Sequence, residues 1–470
     1  MILKLKQLFQ QYRFELFFYL LFLVGTSLRF YKFDRQSLWG DELYSVFAST
    51  LPWQDMFNFL HDDPHPPLFQ VFLKLWMYVL PVQSELSVRL FPIIVSVLNL
   101  ILVWYLTIKW EKTKRILFLF LFIFSPGAIY YAQEVRSYSP LLFFSSVIFI
   151  LFSSLENSKN NKLKIYILVF LSIAISYTHL FGFVFCGSLY LVFWIKSLID
   201  QNGKSKEIFL LGLFTFLGFI PFILQLMNGT KIATAGWIEP PGEILAQTYY
   251  NLFFYFSKKT FYLTLIIPFF YFLYSVFVTI REKRKTKDQS FYRNENIYLF
   301  VSLVILFSTT LFSFYKPIVT NRNWIITLPL FYYFFACFLA KQNRKVVVYT
   351  VLVLLTFFSL VELRKTFYTN FKEDWRGAVS FASVHCAQPL LLTDAYPEYV
   401  RLYLRWAQNE TMNPILTGEK INMSQNSICV LKRFLGGNGE PFFPEGKYIK
   451  LDEKHFYGFV IEEYTKVNLK

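Results

Sequence analysis

Long apolar runs recur through most of this chain of 470 residues. Between residues 14 and 361 the runs reach roughly 17 to 22 residues, long enough for a helix to cross about 30 Å of hydrocarbon. Hydrophobic residues make up 55% of the chain and charged residues 17%, whereas an ordinary soluble domain carries about 25% charged residues. The sequence therefore predicts a mainly α, polytopic membrane protein.

We predict about eleven membrane-spanning helices from these runs. The first run is interpreted as a retained helix rather than a signal peptide, because it lacks a cleavage site of small residues. The fifth and sixth runs are separated by almost no polar sequence, so their shared boundary is weakly defined. The predicted spans cover residues 14–30, 84–108, 116–131, 139–155, 165–180, 181–195, 207–226, 259–280, 297–313, 324–340 and 346–361.

The distribution of basic residues predicts the orientation. One set of loops holds 22 Lys and Arg in 58 residues, whereas the alternating set holds 8 in 103 residues. The positive-inside rule assigns the basic set to the cytoplasm, so we expect an inner (plasma) membrane protein with a cytoplasmic N-terminus and an extracytoplasmic C-terminal region. Much of the net charge of +16 then reports topology, and no nucleic-acid partner is needed to explain it. The basic set is 1–13, 109–115, 156–164, 196–206, 281–293 and 341–345, and the alternating set is 31–83, 132–139, 227–258 and 314–323.

One apolar run, residues 66–81, carries Lys74 in its middle. Counting it as a span would invert every later loop and place most basic residues outside. We therefore predict a helix along the outer surface whose first turn holds Pro66 and Pro67. The preceding LYSVFAST suits an interfacial helix, so residues 31–83 are predicted to form a large extracytoplasmic loop with two or three helices in the membrane plane.

The chain changes character after residue 361. Residues 362–470 hold 14 basic and 13 acidic residues and no further long apolar run. We predict a transmembrane domain at 1–361 and a soluble extracytoplasmic α/β domain at 362–470. Helix-like patterns occur in DWRGAVSFASV and PEYVRLYLRWAQ, and strand-like patterns occur in PLLLT, SICVLKRF and FYGFVIEEY.

The four cysteines divide between these two regions. Cys186 and Cys337 fall within predicted spans and are interpreted as small buried hydrophobes. Cys386 and Cys429 lie in the predicted outer domain, where a disulfide is chemically allowed, but their separation in sequence leaves that bond open. The five histidines are scattered, and no Cys or His spacing resembles a zinc site.

Two adjacent carboxylates, Asp41 and Glu42, follow the first span in WGDELYS. Charge close to the bilayer is costly unless it has a function, and a carboxylate at this depth can reach a lipid headgroup. A simpler interpretation is an acidic pair that stabilises the N-terminus of the next helix.

Several short motifs together resemble bacterial family 39 glycosyltransferases. These enzymes are similar to protein O-mannosyltransferases and lipid A aminoarabinose transferases, and all share the multi-span C-type glycosyltransferase architecture. The resemblance covers most of the membrane region and is densest between residues 37 and 138. Its motifs are Asp41-Glu42, His65-Pro66-Pro67, RLFP at 89–92, QEVRSY at 133–138, YTHLFGF at 177–183 and DWRGA at 374–378.

The resemblance implies a polyprenyl-phosphate sugar donor and transfer with inversion on the extracytoplasmic face. The acceptor hydroxyl belongs to a glycan, a lipid or a protein, and the lipid bilayer is the other partner. Asp41 matches the acidic position proposed as general base in the family, and Glu42 is expected to orient it or to titrate with it as a coupled unit. The sequence requires no cofactor, and dependence on a divalent metal is left open.

The expected substrate-binding residues lie in outer loops or at the outer ends of spans. Each has an alternative: a solvated histidine before two prolines, a salt bridge closing the QEVRSY turn, a packed histidine, or an interfacial arginine. For Arg322 the match to the family is weaker, because Asn323 follows it where relatives often carry an aromatic residue. The candidates are His65, Glu134, Arg136, Tyr138, His179, Lys316 and Arg322.

Two other function classes stay open from the sequence. A lipid or sugar transporter could have a similar number of spans, but transporters place polar residues within helices and show repeated halves, and neither pattern is visible here. A membrane acyltransferase would commonly depend on a histidine within a span, for which His179 alone is thin support.

Overall fold

The computed structural model describes residues 2–81, 84–156, 162–228, 238, 241–242, 294–386, 390–393, 395–409, 412–416, 427–433 and 448–467. The span predicted at 259–280 lies outside these residues. The described helices are α1 (Ile2–Phe30), α2 (Gly40–Thr50), α3 (Trp53–Leu60), α4 (Leu68–Val79), α5 (Glu85–Leu106), α6 (Lys112–Ile123), α7 (Pro126–Ala132), α8 (Tyr138–Glu156), α9 (Lys162–Thr178), α10 (Leu180–Asp200), α11 (Ser205–Asn228), α12 (Asn294–Tyr315), a 3₁₀ helix (Asn321–Thr327), α13 (Leu328–Ala340), α14 (Lys345–Tyr368), α15 (Trp375–His385) and α16 (Pro397–Trp406). The described strands are β1 (Leu390–Thr393), β2 (Asn413–Leu416), β3 (Ser427–Arg433), β4 (Tyr448–Phe456) and β5 (Phe459–Lys466).

Apolar helices long enough to cross a membrane dominate this fold. Among the described residues there are seven such helices, or eight if the bent pair α6 and α7 forms one span. The mainly α, polytopic membrane fold is confirmed, whereas the count of about eleven stays a prediction. The described residues form two compact units: the first contains 1–31, 57–69 and 92–366, and the second contains 32–56, 70–91 and 367–470. The predicted domain boundary after residue 361 stays a prediction.

The span predicted at 116–131 does not form as one continuous helix. The chain forms α6 and α7 instead, bent by 49° at the break between them. Pro126 begins α7 and has no N–H, so it cannot donate to the carbonyl of Phe122. Ser125 caps the new helix, and its Oγ accepts from the backbone N–H of Ala128 at 3.2 Å. The break therefore leaves carbonyls of α6 without intrahelical donors, at residues such as Phe122 and Ile123 that are buried.

Arg29, near the end of α1, supplies donors to this break. Its Nη2 donates to the Phe122 carbonyl at 3.2 Å, and its Nε donates to Ser96 Oγ at 2.7 Å. The hydroxyl of Ser359 in α14 donates to the Phe124 carbonyl at 2.6 Å. Side chains from two other helices thus replace hydrogen bonds that the bent helix cannot make itself.

Replacing Arg29 with leucine should lower stability by about 3 kcal/mol, because buried carbonyls would lose a charged donor. Thermal unfolding of the detergent-solubilised protein measures this loss. Arg29→Lys should lose part of it, since an ammonium lacks the guanidinium fork that serves Ser96 and Phe122 together. Equal stability of Arg29→Leu and the wild type would contradict this explanation of the bend.

The described residues of the second unit form a five-stranded sheet in the order β2-β1-β3-β5-β4. Strand β1 is parallel to β2 and β3, whereas β5 is antiparallel to β3 and β4. Trp375 of α15 is 1% exposed and packs edge-on against Phe459 of β5, with 4.7 Å between ring centroids. Cys386 and Cys429 form a disulfide. The predicted α/β character of this part is confirmed.

Three strands differ from the sequence-based assignment. FYGFVIEEY is not one strand, because Tyr457 and Gly458 form the turn between β4 and β5, and Gly458 has a left-handed φ of 85°. Strand β4 was not predicted, since most of its side chains are exposed and its sequence has no apolar alternation. Strand β2, four residues long, was also not predicted.

The three helices α2, α3 and α4 match the number expected in the first outer loop. At 12 residues α4 is too short to span a bilayer, which agrees with the prediction that 66–81 does not cross it. Pro66 and Pro67 precede α4 rather than forming its first turn. Lys74 is 5% exposed and donates from Nζ to the carbonyls of Ser49 and Leu51, so it caps the C-terminal end of α2.

Candidate active site

The carboxylates Asp41 and Glu42, here called the acid pair, occupy the first turn of α2 in the second unit. They differ in environment. Asp41 is partly exposed, whereas Glu42 is 0% exposed. The Oε2 atom of Glu42 accepts from the backbone N–H of Trp39 at 3.2 Å, which satisfies a donor that the helix start leaves without a partner. The contact with Trp39 agrees with the helix-capping interpretation of Glu42. The partial exposure of Asp41 agrees with the functional interpretation of that residue.

Two buried cations surround the Glu42 carboxylate. Lys372 Nζ lies 2.8 Å from Oε2, and Arg89 Nη2 lies 3.5 Å from the same atom. Arg89, from the RLFP motif, also donates to the carbonyls of Phe33 at 2.8 Å and Ser37 at 2.9 Å. A buried carboxylate is tolerated when it is paired in this way. The two cations therefore hold the Glu42 carboxylate in one place, as expected of a residue that positions its neighbours.

A second buried carboxylate, Glu85, anchors the loop before α2. It accepts from the Leu38 N–H at 3.1 Å and also from Tyr403 Oη and Arg376. Burial, and then the charge of Glu85, raises the pKa of the Tyr403 hydroxyl well above its ordinary value, so this phenol stays a donor at neutral pH. The DWRGA motif therefore acts structurally on this loop through Arg376.

The first unit gathers four basic side chains, here called the basic cluster: His65, Arg136, His179 and Arg322. The rings of His65 and His179 lie 5.5 Å apart between centroids. Asp63 orients His65, because its Oδ1 accepts from the His65 backbone N–H at 2.7 Å and lies 2.8 Å from Nδ1. Asp63 is not among the candidates selected from the sequence, because HDDPHPP alone does not reveal this contact.

Tyr138 lies beside the same cluster. Its ring centroid is 6.4 Å from that of His179 and 5.7 Å from the Arg322 guanidinium carbon, which is within cation–π range. Tyr138 begins α8, and Arg136 stands in the turn just before it. Arg322 belongs to the 3₁₀ helix that precedes α13. A turn and a 3₁₀ helix from distant parts of the chain thus bring the two arginines to one group of side chains.

His179 stands between α9 and α10, outside both helices, and is 4% exposed. Its Nδ1 accepts from the Phe181 N–H at 3.2 Å. Burial, followed by the charges of His65, Arg136 and Arg322, holds the pKa of His179 well below its ordinary value, whereas Asp63 acts in the opposite direction. A side chain at Gly182 would overlap the Ile175 carbonyl, so glycine permits the tight corner that presents His179.

The remaining predicted residues have less defined surroundings. Glu134 is 2% exposed in the turn after α7, so a salt bridge that closes this turn through its carboxylate would be buried rather than exposed. Lys316 directly follows α12 and is half-buried. Donor binding by Glu134 and Lys316 stays a prediction. Within the described ranges, no group of three or more His, Cys, Asp or Glu side chains could hold a metal ion.

Sequence reasoning missed the cations that hold Glu42. Lys372 is separated from Glu42 by 330 positions, and no local pattern links the two. Arg89 belongs to the RLFP motif, but a basic residue at the start of a span is ordinarily interpreted as an interfacial anchor.

Comparison with known proteins gives matches in structure but not in sequence. No protein-family model and no curated protein matches the chain at a significant level. The crystal structure of ArnT from Cupriavidus metallidurans in the apo state is 10% identical, with a TM-score of 0.62 over 95% of this chain and 97% of that chain. ArnT bound to undecaprenyl phosphate is also 10% identical, with a TM-score of 0.59 over 95% of this chain and 98% of that chain.

A third solved structure extends the similarity. The archaeal oligosaccharyltransferase AglB from Archaeoglobus fulgidus, in complex with an inhibitory peptide and a dolichol-phosphate, is 13% identical, with a TM-score of 0.51 over 90% of this chain and 70% of that chain. Identities this low establish the fold alone, and ArnT and AglB are both polytopic membrane proteins of the C-type glycosyltransferase class. This chain therefore has the fold of the C-type glycosyltransferases.

Proposed function

We propose that this chain is a membrane glycosyltransferase that moves a sugar from a polyprenyl-phosphate donor to a hydroxyl acceptor. The basic cluster carries the proposal, because two arginines and two histidines gather in a chain with this fold. Guanidinium groups bind phosphate bidentately, and an uncharged histidine can donate a hydrogen bond to it. The solved complexes of ArnT with undecaprenyl phosphate and of AglB with dolichol-phosphate support a lipid phosphate as the ligand.

Asp41 is the general base in this proposal. As the acceptor oxygen forms its bond to the anomeric carbon, its proton passes to the Asp41 carboxylate. The bond from the anomeric carbon to the phosphate oxygen breaks, and its electron pair stays on that oxygen. Attack opposite the leaving group inverts the anomeric centre. Glu42 acts as a positioning residue, because its carboxylate is occupied by Lys372 and Arg89.

The leaving group is a polyprenyl phosphate monoester, whose charge grows in the transition state. Arg136 and Arg322 would stabilise that charge, and Tyr138 and the two histidines would line the same region. Glu134 and Lys316 are proposed as further donor contacts. The acceptor is a glycan, a lipid or a protein, and the reaction takes place on the extracytoplasmic face of the plasma membrane.

The direct test uses the purified full chain in lipid nanodiscs with a synthetic polyprenyl-phosphate sugar. The expected result is the release of polyprenyl phosphate together with a sugar added to an acceptor. Mass spectrometry of cell-envelope glycans with and without the gene would identify the sugar and the acceptor. Movement of the donor lipid across the bilayer with no transfer would instead favour a flippase and contradict the proposal.

A further inference from the structure

The chain segment that follows α14 makes reciprocal contacts with the loop before α2. The Oε1 atom of Gln36 accepts from the backbone N–H groups of Phe371 at 2.9 Å and Lys372 at 3.0 Å. Ser37 Oγ accepts from the Arg376 N–H at 3.0 Å. Lys372 therefore donates twice: its backbone N–H donates to Gln36, and its ammonium group donates to Glu42.

Loss of the contact between Lys372 and Glu42 is expected to cost more stability than loss of a surface ion pair, because both groups are buried. The side chain of Lys372 is 8% exposed and that of Glu42 is 0% exposed. Surface ion pairs contribute little to stability, whereas removing one partner of a buried pair leaves a charge without its compensation. After loss of Lys372, Arg89 would remain of these two cations, at the longer distance of 3.5 Å from Oε2 of Glu42.

Glu42 also fixes the start of α2, since its carboxylate accepts from the N–H of Trp39. Asp41 lies between these two residues, on the same helical turn. A shift of the Glu42 side chain would therefore release the turn that carries Asp41. A small misplacement of a reacting group is enough to slow a reaction substantially.

We propose that Lys372 is a positioning residue for the acid pair: by holding Glu42 it fixes the first turn of α2, and thereby the direction in which Asp41 points. The inference rests on the proposed function, in which Asp41 is the base. Lys372 acts through Glu42 rather than on the substrate. The soluble C-terminal part of the chain is thus a component of the catalytic apparatus.

Kinetics of the full-length enzyme test this assignment. Lys372→Met should lower kcat about tenfold and leave the donor KM within about twofold, because a positioning defect acts on the chemical step. Lys372→Arg should recover most of kcat, since it restores a cation at the carboxylate. The matched control is Lys365→Met, which removes a lysine whose ion pair with Glu362 leaves its side chain 67% exposed, and it should leave kcat unchanged.

Hydrogen exchange provides a measurement that does not depend on activity. Lys372→Met should speed exchange of the amides at the start of α2, with little change in β3, whereas Lys365→Met should change neither. If Lys372→Met does not fold, the double variant Glu42→Gln with Lys372→Met replaces it in the kinetic and the exchange measurements. The double variant removes the Glu42 charge that loss of Lys372 would leave without its nearer cation.

The outcomes separate the two proposals. An active wild type with unchanged kcat in Lys372→Met overturns the positioning role, as does a loss of kcat that arginine does not rescue. A wild type that transfers no sugar overturns the proposed function. In that case exchange still decides whether Lys372 holds α2, and unchanged exchange would overturn the inference as well.

Discussion

Asp41→Asn is expected to abolish sugar transfer while leaving expression and donor binding nearly intact. Asparagine has the same size but cannot accept the acceptor's proton, and general-base catalysis contributes about 10²- to 10⁴-fold to a rate. We expect a loss of about 10³-fold or more in kcat. Release of polyprenyl phosphate measures the rate, and binding of polyprenyl phosphate to the purified variant measures retention of the donor site.

The matched control is Asp55→Asn, which removes an exposed carboxylate from α3 in the same predicted outer loop. This variant should retain the wild-type rate, so a loss confined to Asp41 would exclude a general effect of loop charge. Full activity of Asp41→Asn would refute its assignment as the base. Loss of donor binding in Asp41→Asn would instead indicate a structural defect.

Arg322→Ala is expected to raise the apparent donor KM by about 10- to 100-fold. The reason is the loss of charged hydrogen bonds to the lipid phosphate, each of which contributes about 1.5 to 3 kcal/mol. Arg322→Lys should give an intermediate value, because an ammonium keeps the charge but loses the planar fork. Steady-state kinetics with varied donor concentration measure both variants.

Arg344→Ala is the control for this experiment, since Arg344 is an exposed arginine in a predicted cytoplasmic loop. Its donor KM should match that of the wild type. A fall in kcat alone for Arg322→Ala would show that Arg322 acts on the leaving phosphate only in the transition state and that donor binding is the wrong interpretation of this residue. Unchanged kinetics would leave Arg322 as the interfacial anchor considered from the sequence.

The basic cluster shows how far a sequence can point to a site. His65, Arg136, His179 and Arg322 were each selected from short motifs and from their predicted outer location, and the structure brings them together within one unit. Their mutual distances could not be derived from the sequence, because the loops that carry them are joined by helices whose packing has no local signal. The contact between Asp63 and His65 is local, but HDDPHPP does not show which of its polar side chains meet.

The bend between α6 and α7 illustrates a different limit. Hydropathy shows only that 116–131 is apolar. Pro126 alone does not decide whether the helix breaks there, because neighbouring side chains must donate hydrogen bonds to the carbonyls that a break leaves without partners. Arg29 and Ser359 provide the missing donors, and both come from distant parts of the chain. Strand β4 escaped detection because exposure of most of its side chains removes the alternation by which a strand is recognised.

The length and apolar character of the runs determined by themselves that this chain would form membrane helices, because in hydrocarbon a helix satisfies its own backbone hydrogen bonds within one segment. The spacing of basic residues likewise determined the orientation that we predict. Only the tertiary structure decided which charges meet. Glu42 is held by Lys372, 330 positions away, because a buried carboxylate needs a cation within a few ångströms in space, and distance along the chain sets no limit on which cation that is.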